Sequence, residues 1–271
     1  MAKNTLTACA AVLVIPAIAG AAPAARSAAP GVHPVVWASY SGLMGGSVDG
    51  QWKTGDQMIQ WVKGGERYRL YSMTKSLGEG IGGKLSEDPH GSPGIEITPC
   101  PDADGEIIAV GGDWDALPRV PKVQSTTQKV YHDVIRALLR RKGLGASPVK
   151  IQQILRVDLE GDGQDEVLVA ASTLAAEHIS PGHDKGDYSL LLLRKIVEGR
   201  VKDILLSGEF HKKAADFDAP LVFDVAAVLD VNGDGVMEIV ERSRYYEGQS
   251  LGVYTVEQGK VKLVLVGGWG A

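Results

Sequence analysis

The stretch that decides the reading is DVNGDGVMEI, residues 230–239. An earlier stretch, DLEGDGQDEV at 158–167, repeats its plan. Counted from the first Asp, oxygen-bearing side chains stand at positions 1, 3 and 5. These are Asp158, Glu160 and Asp162 in one copy and Asp230, Asn232 and Asp234 in the other. Glycines fill positions 4 and 6, where the chain must curl, and Glu166 and Glu238 fall at position 9. Calcium takes six to eight oxygens at about 2.3–2.6 Å, and a short loop supplies them only by wrapping around the ion. In such a wrap the backbone carbonyls of Gln164 and Val236, at position 7, join the side chains. An ion-free Asp-Gly turn is the competing reading. Clustered carboxylates repel one another without a cation, however, and the plan occurs twice. Both loops are therefore expected to bind calcium. They are not EF-hands: β patterns flank them, and position 12 is Val169 in one copy and Glu241 in the other.

The surroundings of the loops match as well. IQQILRVDLEGDGQDEVLVAAS aligns with FDVAAVLDVNGDGVMEIVERS, the two loops lying 72 residues apart. Further on, SLLLLRKIVEGRVKDILLSGEF aligns with LGVYTVEQGKVKLVLVGGWG. Each unit reads as strand, acidic loop, strand, connection and a hairpin turning at VEGR or EQGK. The fold expected for 148–271 is thus two repeated four-stranded antiparallel units, propeller-blade-like, with a β-sandwich as the alternative.

On these residues the loops resemble the D-x-[DN]-G-D-G-x-x-[DE] calcium loops of FG-GAP or VCBS-type repeats, over roughly residues 148–271. The resemblance implies blades of the integrin-like β-propeller kind. It also implies an acidic loop joining the first two strands of each blade, and calcium in a structural role. The chain departs from that pattern in several respects. It lacks the Phe-Gly and Gly-Ala-Pro elements, Glu160 is longer than the usual Asp or Asn, and two units are too few to close a propeller of that type. PDADGEIIAV, 101–110, has Asp102, Asp104 and Glu106 at positions 1, 3 and 5. Ile107 replaces the second glycine and Val110 the closing acid, so a surface turn is expected there.

Upstream, residues 35–147 read as an α+β region ending in a helix over about 125–142. That helix has Ser125 and Gln128 in capping-box spacing and an apolar stripe of Val130, Val134, Ile135, Leu138 and Leu139. Arg140, Arg141 and Lys142 stand at its negative end before Gly143. A shorter helix is expected after Thr54, with Gln57 as its capping partner, and ERYRLYSM alternates as a strand.

Residues 1–25 read as a signal peptide: Lys3, an apolar run from Ala8 to Ile18, then small residues with A-x-A cleavage options between Ala19 and Ala25. The run is too short and Ala-rich for a membrane span, and the expected mature chain has no transmembrane span. A secreted, periplasmic or cell-surface location follows, with 26–34 as a flexible linker. Cys100 is then the one remaining cysteine, expected as a plain buried residue, so stability must come from the core or from metal. The formal charge of −5 becomes −6 on loss of Lys3, which argues against nucleic acid as a partner.

No G-x-S-x-G, P-loop, dinucleotide fingerprint or C-x-x-C occurs. The polar loop EHISPGHDKGDY places His178, His183, Asp184 and Asp187 together, with zinc or acid–base chemistry as options. His33, His90, His132 and His211 read as scattered surface residues. In GGDWDALPR a buried Trp114 is favoured over a sugar-stacking one, and Tyr245 and Tyr246 are expected beside the second acidic loop. The expected function is a secreted calcium-binding, non-catalytic binding or structural module whose ligand is an extracellular protein or polysaccharide. The alternative is a secreted hydrolase using the His178–Asp187 loop or a carboxylate pair assembled by the fold.

Overall fold

The computed structural model describes residues 31–87, 91–175, 177–257 and 259–270. The expected signal peptide, the first part of the linker and His90 lie outside these residues. The protein is mainly β, with 49% of residues in strands and 7% in helices, and its antiparallel sheets include a curled half-barrel.

The first sheet comprises β1 (Val32–Trp37), β2 (Gly42–Val48), β3 (Gln51–Thr54), β4 (Arg67–Tyr71), β5 (Ser76–Gly82), β6 (Ser86–Glu87), β7 (Pro93–Gly94), β8 (Ile97–Thr98) and β9 (Ile108–Val110). Its order is β6-β7-β2-β1-β9-β4-β5-β8, with β3 paired to β2. Since β1 already begins at Val32, the C-terminal end of the expected linker is strand. Helix α1 (Gly55–Met58) is a single turn opened by Thr54, whose backbone N–H donates to Gln57 Oε1 at 3.1 Å. It carries Met58, followed by Val62, onto one face of this sheet against Tyr68, Leu70 and Ile95.

The second sheet runs β10 (Lys122–Val123), β11 (Ile151–Val157), β12 (Glu166–Ser172), β13 (Tyr188–Val197) and β14 (Arg200–Phe210) in that order. The third runs β15 (Val222–Leu229), β16 (Glu238–Tyr245), β17 (Gly248–Glu257) and β18 (Lys260–Gly270), also in chain order. In both, the acidic loop links the first two strands of a four-stranded meander. The meanders differ in the next connection, which is residues 173–187 in the first and only 246–247 in the second.

Helix α2 (Lys129–Arg141) starts three residues later than the Ser125 cap suggests, with Gln128 at the N-cap. The Ser125 hydroxyl is taken by Thr127, by its hydroxyl at 2.8 Å and its N–H at 3.3 Å, and so closes a local turn instead of capping a helix. Leu144 N–H reaches Leu139 O and Gly143 N–H reaches Arg140 O, a Schellman end with Gly143 at φ +84°. Ile135, Leu138 and Leu139 are buried, but Val130 is 52% exposed, so the apolar stripe begins a turn later than expected.

The sequence groups this helix with the N-terminal region, yet it packs on the second sheet, against Ile154, Val169, Leu190 and Leu192. Leu191 and Leu193 turn to the opposite face. That two-sided cover explains the unbroken apolar run SLLLL: residues alternate between faces, and both faces are dry. The opposite face enters a core shared by all three sheets, with Val35, Trp37 and Ile108 from the first, Leu155, Leu168 and Leu193 from the second, and Val228, Ile239 and Val253 from the third.

The edge of the third sheet is closed by side chains of the second. Val225, where a bulge towards Ala227 begins, turns both backbone groups outward. The Gln153 carboxamide meets them, Oε1 accepting from Val225 N–H at 2.9 Å and Nε2 donating to Val225 O at 3.1 Å. Ser189 Oγ accepts from Phe223 N–H, and Glu209 Oε2 from Leu221 N–H. An edge strand with its ladder so occupied cannot recruit another chain there.

Candidate functional site

The two acidic loops lie side by side and are stitched by residues 114–119. Trp114 Nε1 donates to Asp230 O at 2.7 Å, Asp230 N–H donates to Ala116 O at 2.8 Å, and Met237 N–H donates to Leu159 O at 2.9 Å. Arg119 donates to Asp158 O and Leu159 O of the first loop and to Gly235 O of the second. Trp114, expected to be buried, is half-buried, with its ring against Gly233 and edge-on to His33. Position 2 of each loop, Leu159 and Val231, is an apolar plug with no exposure.

Position 1 curls the chain in both copies. Asp158 accepts the N–H groups of Gly161, Asp162 and Gly163, and Asp230 accepts those of Gly233 and Gly235. At position 9, Glu166 accepts from Leu159 N–H at 2.9 Å and Glu238 from Val231 N–H at 3.0 Å. Position 5 closes the turn, with Asp162 accepting from Gln164 N–H and Asp234 from Val236 N–H, while Asn232 bridges to Asp234.

The copies part company in their charge. In the first, the Lys195 ammonium sits between Glu160 Oε2, at 2.6 Å, and Glu166 Oε1, at 2.8 Å. Lys195 follows Arg194, the partner of Val167, and Thr255 follows Tyr254, the partner of Ile239, so the position that supplies the ammonium beside Glu166 is a threonine in the third sheet. Among the described residues no ion pair reaches Asp230, Asp234 or Glu238. Burial pushes the Glu238 carboxyl up to about 9, with Asp234 and Asp230 adding to the effect against the Val231 N–H. Burial likewise raises Asp230. Burial works against Asp158 too, but there the N–H groups of Gly163, Gly161 and Asp162 together with Arg119 outweigh it, and its carboxyl is held below the usual range. The second loop therefore buries two carboxyls, Asp230 and Glu238, that no cation among the described residues pairs with. Its carboxylates nonetheless stand further apart than a closed metal cage: among the described residues one set alone brings three His, Cys, Asp or Glu donor atoms within 4.8 Å of one another, and it lies elsewhere.

That set is His183, His211 and Asp218. Of the polar loop His178–Asp187, only His183 enters it. Asp187 binds Thr173 Oγ1 and the Asp184 N–H and so shapes the loop. The expectation that His211 is a surface residue is corrected: its side chain is 10% exposed and stacks on His183 with ring centroids 3.6 Å apart. Burial and the neighbouring His183 push His211 below the ordinary imidazole value. His211 was missed because its partners arrive from 28 residues before it and seven after it, a spacing that no local motif marks.

Glu106, read as part of a decayed third loop, instead accepts from Trp37 Nε1, Gln249 Nε2 and Arg242 Nη1. Arg242 also clamps Asp224 with two hydrogen bonds, at 2.9 and 2.8 Å, so Glu106 ties the first sheet to the third. Cys100 is exposed rather than buried, because it lies between Pro99 and Pro101 outside any strand. Tyr245 and Tyr246 sit at the β16–β17 turn, one strand length, roughly 25 Å, from the second acidic loop. There they line a cleft of about 660 Å³ with His178, Glu247, Gln249 and Trp269. A second cleft, of about 460 Å³, is lined by Ser147, Lys150, Lys185, Asp187, His211 and Lys212.

Compared with family models, curated proteins and solved structures, the chain matches none of them.

Proposed function

We propose that the protein is an exported, non-catalytic binding module whose second acidic loop holds calcium as a structural ion. The observation that carries this reading is the contrast at position 9: Glu166 pairs with the Lys195 ammonium, whereas among the described residues Glu238 has no cation and has Asp230 and Asp234 as neighbours. A buried carboxylate cluster is stable only when neutralised by protons or by a cation. Calcium with oxygen donors from Asp230, Asn232, Asp234, Glu238 and the Val236 carbonyl supplies the cation. The donor set of the first loop does not fit an ion, because Lys195 already bridges Glu160 and Glu166. The reading keeps the resemblance to FG-GAP or VCBS-type loops and blade-like units, with one loop closed by lysine in place of metal. Export directed by residues 1–25 would expose the second loop to extracellular calcium.

We assign the ligand surface to the cleft at Tyr245, Tyr246 and Trp269, where aromatic rings flanked by Glu247 and Gln249 suit the faces and hydroxyls of a polysaccharide. The test is a thermal melt in excess chelator followed by calcium titration. Asp230→Asn should abolish the calcium-dependent rise and Asp158→Asn should leave it in place. At one hundred times the dissociation constant the rise corresponds to about 2.7 kcal/mol. Equal loss in both variants, or no rise at millimolar calcium, would overturn the assignment. Polysaccharide retention by the calcium-loaded chain, compared with Tyr246→Ala and Trp269→Ala, tests the cleft separately.

A further inference from the structure

We propose that His183, His211 and Asp218 form a second, chemically different metal site, one for a transition-metal dication of the zinc type. The site depends on an insertion. The turn made by two residues in the third sheet takes residues 173–187 in the second. That longer connection is laced to the linker between the two sheets. His183 and Ala215 exchange backbone hydrogen bonds at 2.9 and 3.0 Å, Gly186 N–H donates to His211 O, and His211 N–H donates to Asp187 O. Pro181 O accepts from both Asp218 N–H and Ala219 N–H. The three side chains are therefore brought together by fixed backbone rather than by chance contact of surface loops.

Asp218 Oδ2 lies 2.8 Å from His183 Nε2 and 3.9 Å from His211 Nδ1, with one donor atom from each residue within 4.8 Å of the others. Metal–ligand bonds of about 2.0–2.2 Å in a tetrahedron separate neighbouring ligands by roughly 3.3 Å, which these two distances bracket. The imidazoles are 4% and 10% exposed and Asp218 is 58% exposed, leaving a way in and a fourth position open to water. The nitrogens turned to Asp218 are His183 Nε2 and His211 Nδ1, while the far nitrogens, His183 Nδ1 and His211 Nε2, are buried without a hydrogen bond among the described residues. His211 Nε2 also points to Glu209 Oε2 at 3.5 Å, an outer carboxylate of the kind that orients a metal-bound histidine. Two nitrogens and one carboxylate suit zinc-type ions and not calcium, which takes oxygen.

The experiment uses the full chain without a histidine tag, stripped with chelator and titrated with Zn²⁺ by calorimetry and with Co²⁺ by visible absorption. The expected result is one saturable equivalent with the bands of four-coordinate cobalt. Asp218→Asn, an exposed change that leaves the core intact, and His211→Gln should each weaken binding by at least about tenfold, the lower bound for disturbing even an outer-shell partner. Asp230→Asn should leave zinc affinity unchanged, separating this site from the calcium loop. Absence of saturable Zn²⁺ and Co²⁺ binding at micromolar concentration, or binding unaffected by both site variants in chains whose melts show them folded, would overturn the proposal.

Discussion

Lys195→Met is the most informative single change, because it removes the ammonium while keeping a side chain of similar length. Lys195 is 6% exposed and Glu166 2%, so the change leaves a buried carboxylate without its cation. Removing one partner of a buried ion pair costs about 3–5 kcal/mol. Glu160, 29% exposed at its side chain, adds little because solvent screens it. The expected loss is therefore near the low end, about 3 kcal/mol, or roughly 6–12 °C in melting temperature for a chain of this size. Burial lowers the Lys195 pKa, but the hydrogen bonds and charges of Glu160 and Glu166 prevail and raise it. The stabilisation is thus fully present below the ordinary lysine value of 10.5 and is lost only as pH rises past the folded-state value. The assay is calorimetric melting in chelator at neutral pH of the wild type, Lys195→Met, Glu166→Gln and the double variant. Glu166→Gln should restore part of what Lys195→Met loses, since no uncompensated charge then remains. A loss under about 1 kcal/mol, or a double variant as unstable as the two single losses added together, would refute the claim that lysine takes the place of an ion here.

Glu241 gives a pH dependence of the same sign in a lower window. Burial raises its carboxyl from 4.5 to about 7, against a hydrogen bond from Ser207 and with Asp224 adding to the rise. Between those values the folded chain holds a proton that the unfolded chain has released, so stability falls as pH rises. The fall is about 3 kcal/mol over the interval, at 1.36 kcal/mol for each unit. Urea denaturation at pH 4.5 and 7.5 should show a fall that Glu241→Gln reduces by this amount, the part that remains belonging to Glu238. Gly233 and Gly235 both hold positive φ, +79° and +87°. Alanine at either position carries left-handed strain of about 1–2 kcal/mol, but only at 233 does the new Cβ meet the Trp114 ring, at 3.1 Å. Gly233→Ala should therefore be the less stable of the two, and equal melting temperatures would show that Trp114 does not pack there as described.

The sequence was informative wherever one residue's role is set by its neighbours. The curl of each acidic loop follows from Asp158 and Asp230 and the glycines three and five residues on, and the four-stranded meanders follow from alternation and hairpin turns. The run Leu190–Leu193 marks a strand buried on both faces but does not say that α2 lies on one of them. What stayed hidden depends on meetings across distance. Lys195 enters the first loop because β13 pairs with β12, and no spacing rule announces that its counterpart is Thr255. His183 looks like a member of the polar loop with His178, yet its partners come from the linker beyond β14. Val130 and Ser125 show a different limit: helix periodicity fixes a face, but a competing hydroxyl turn decides where the helix begins.

The Gln153 carboxamide has one further consequence. A side-chain amide imitates a single peptide unit, one donor and one acceptor, and then it ends. A ladder of strands can slip by two residues and find equivalent partners, but a lone amide set against a bulge cannot. The alignment of the second and third sheets is keyed at that point like a tooth in a notch. The joint is held in one register without a hydrogen-bonded ladder running across it, which fixes the second and third sheets, and so the two acidic loops at their ends, in a constant arrangement.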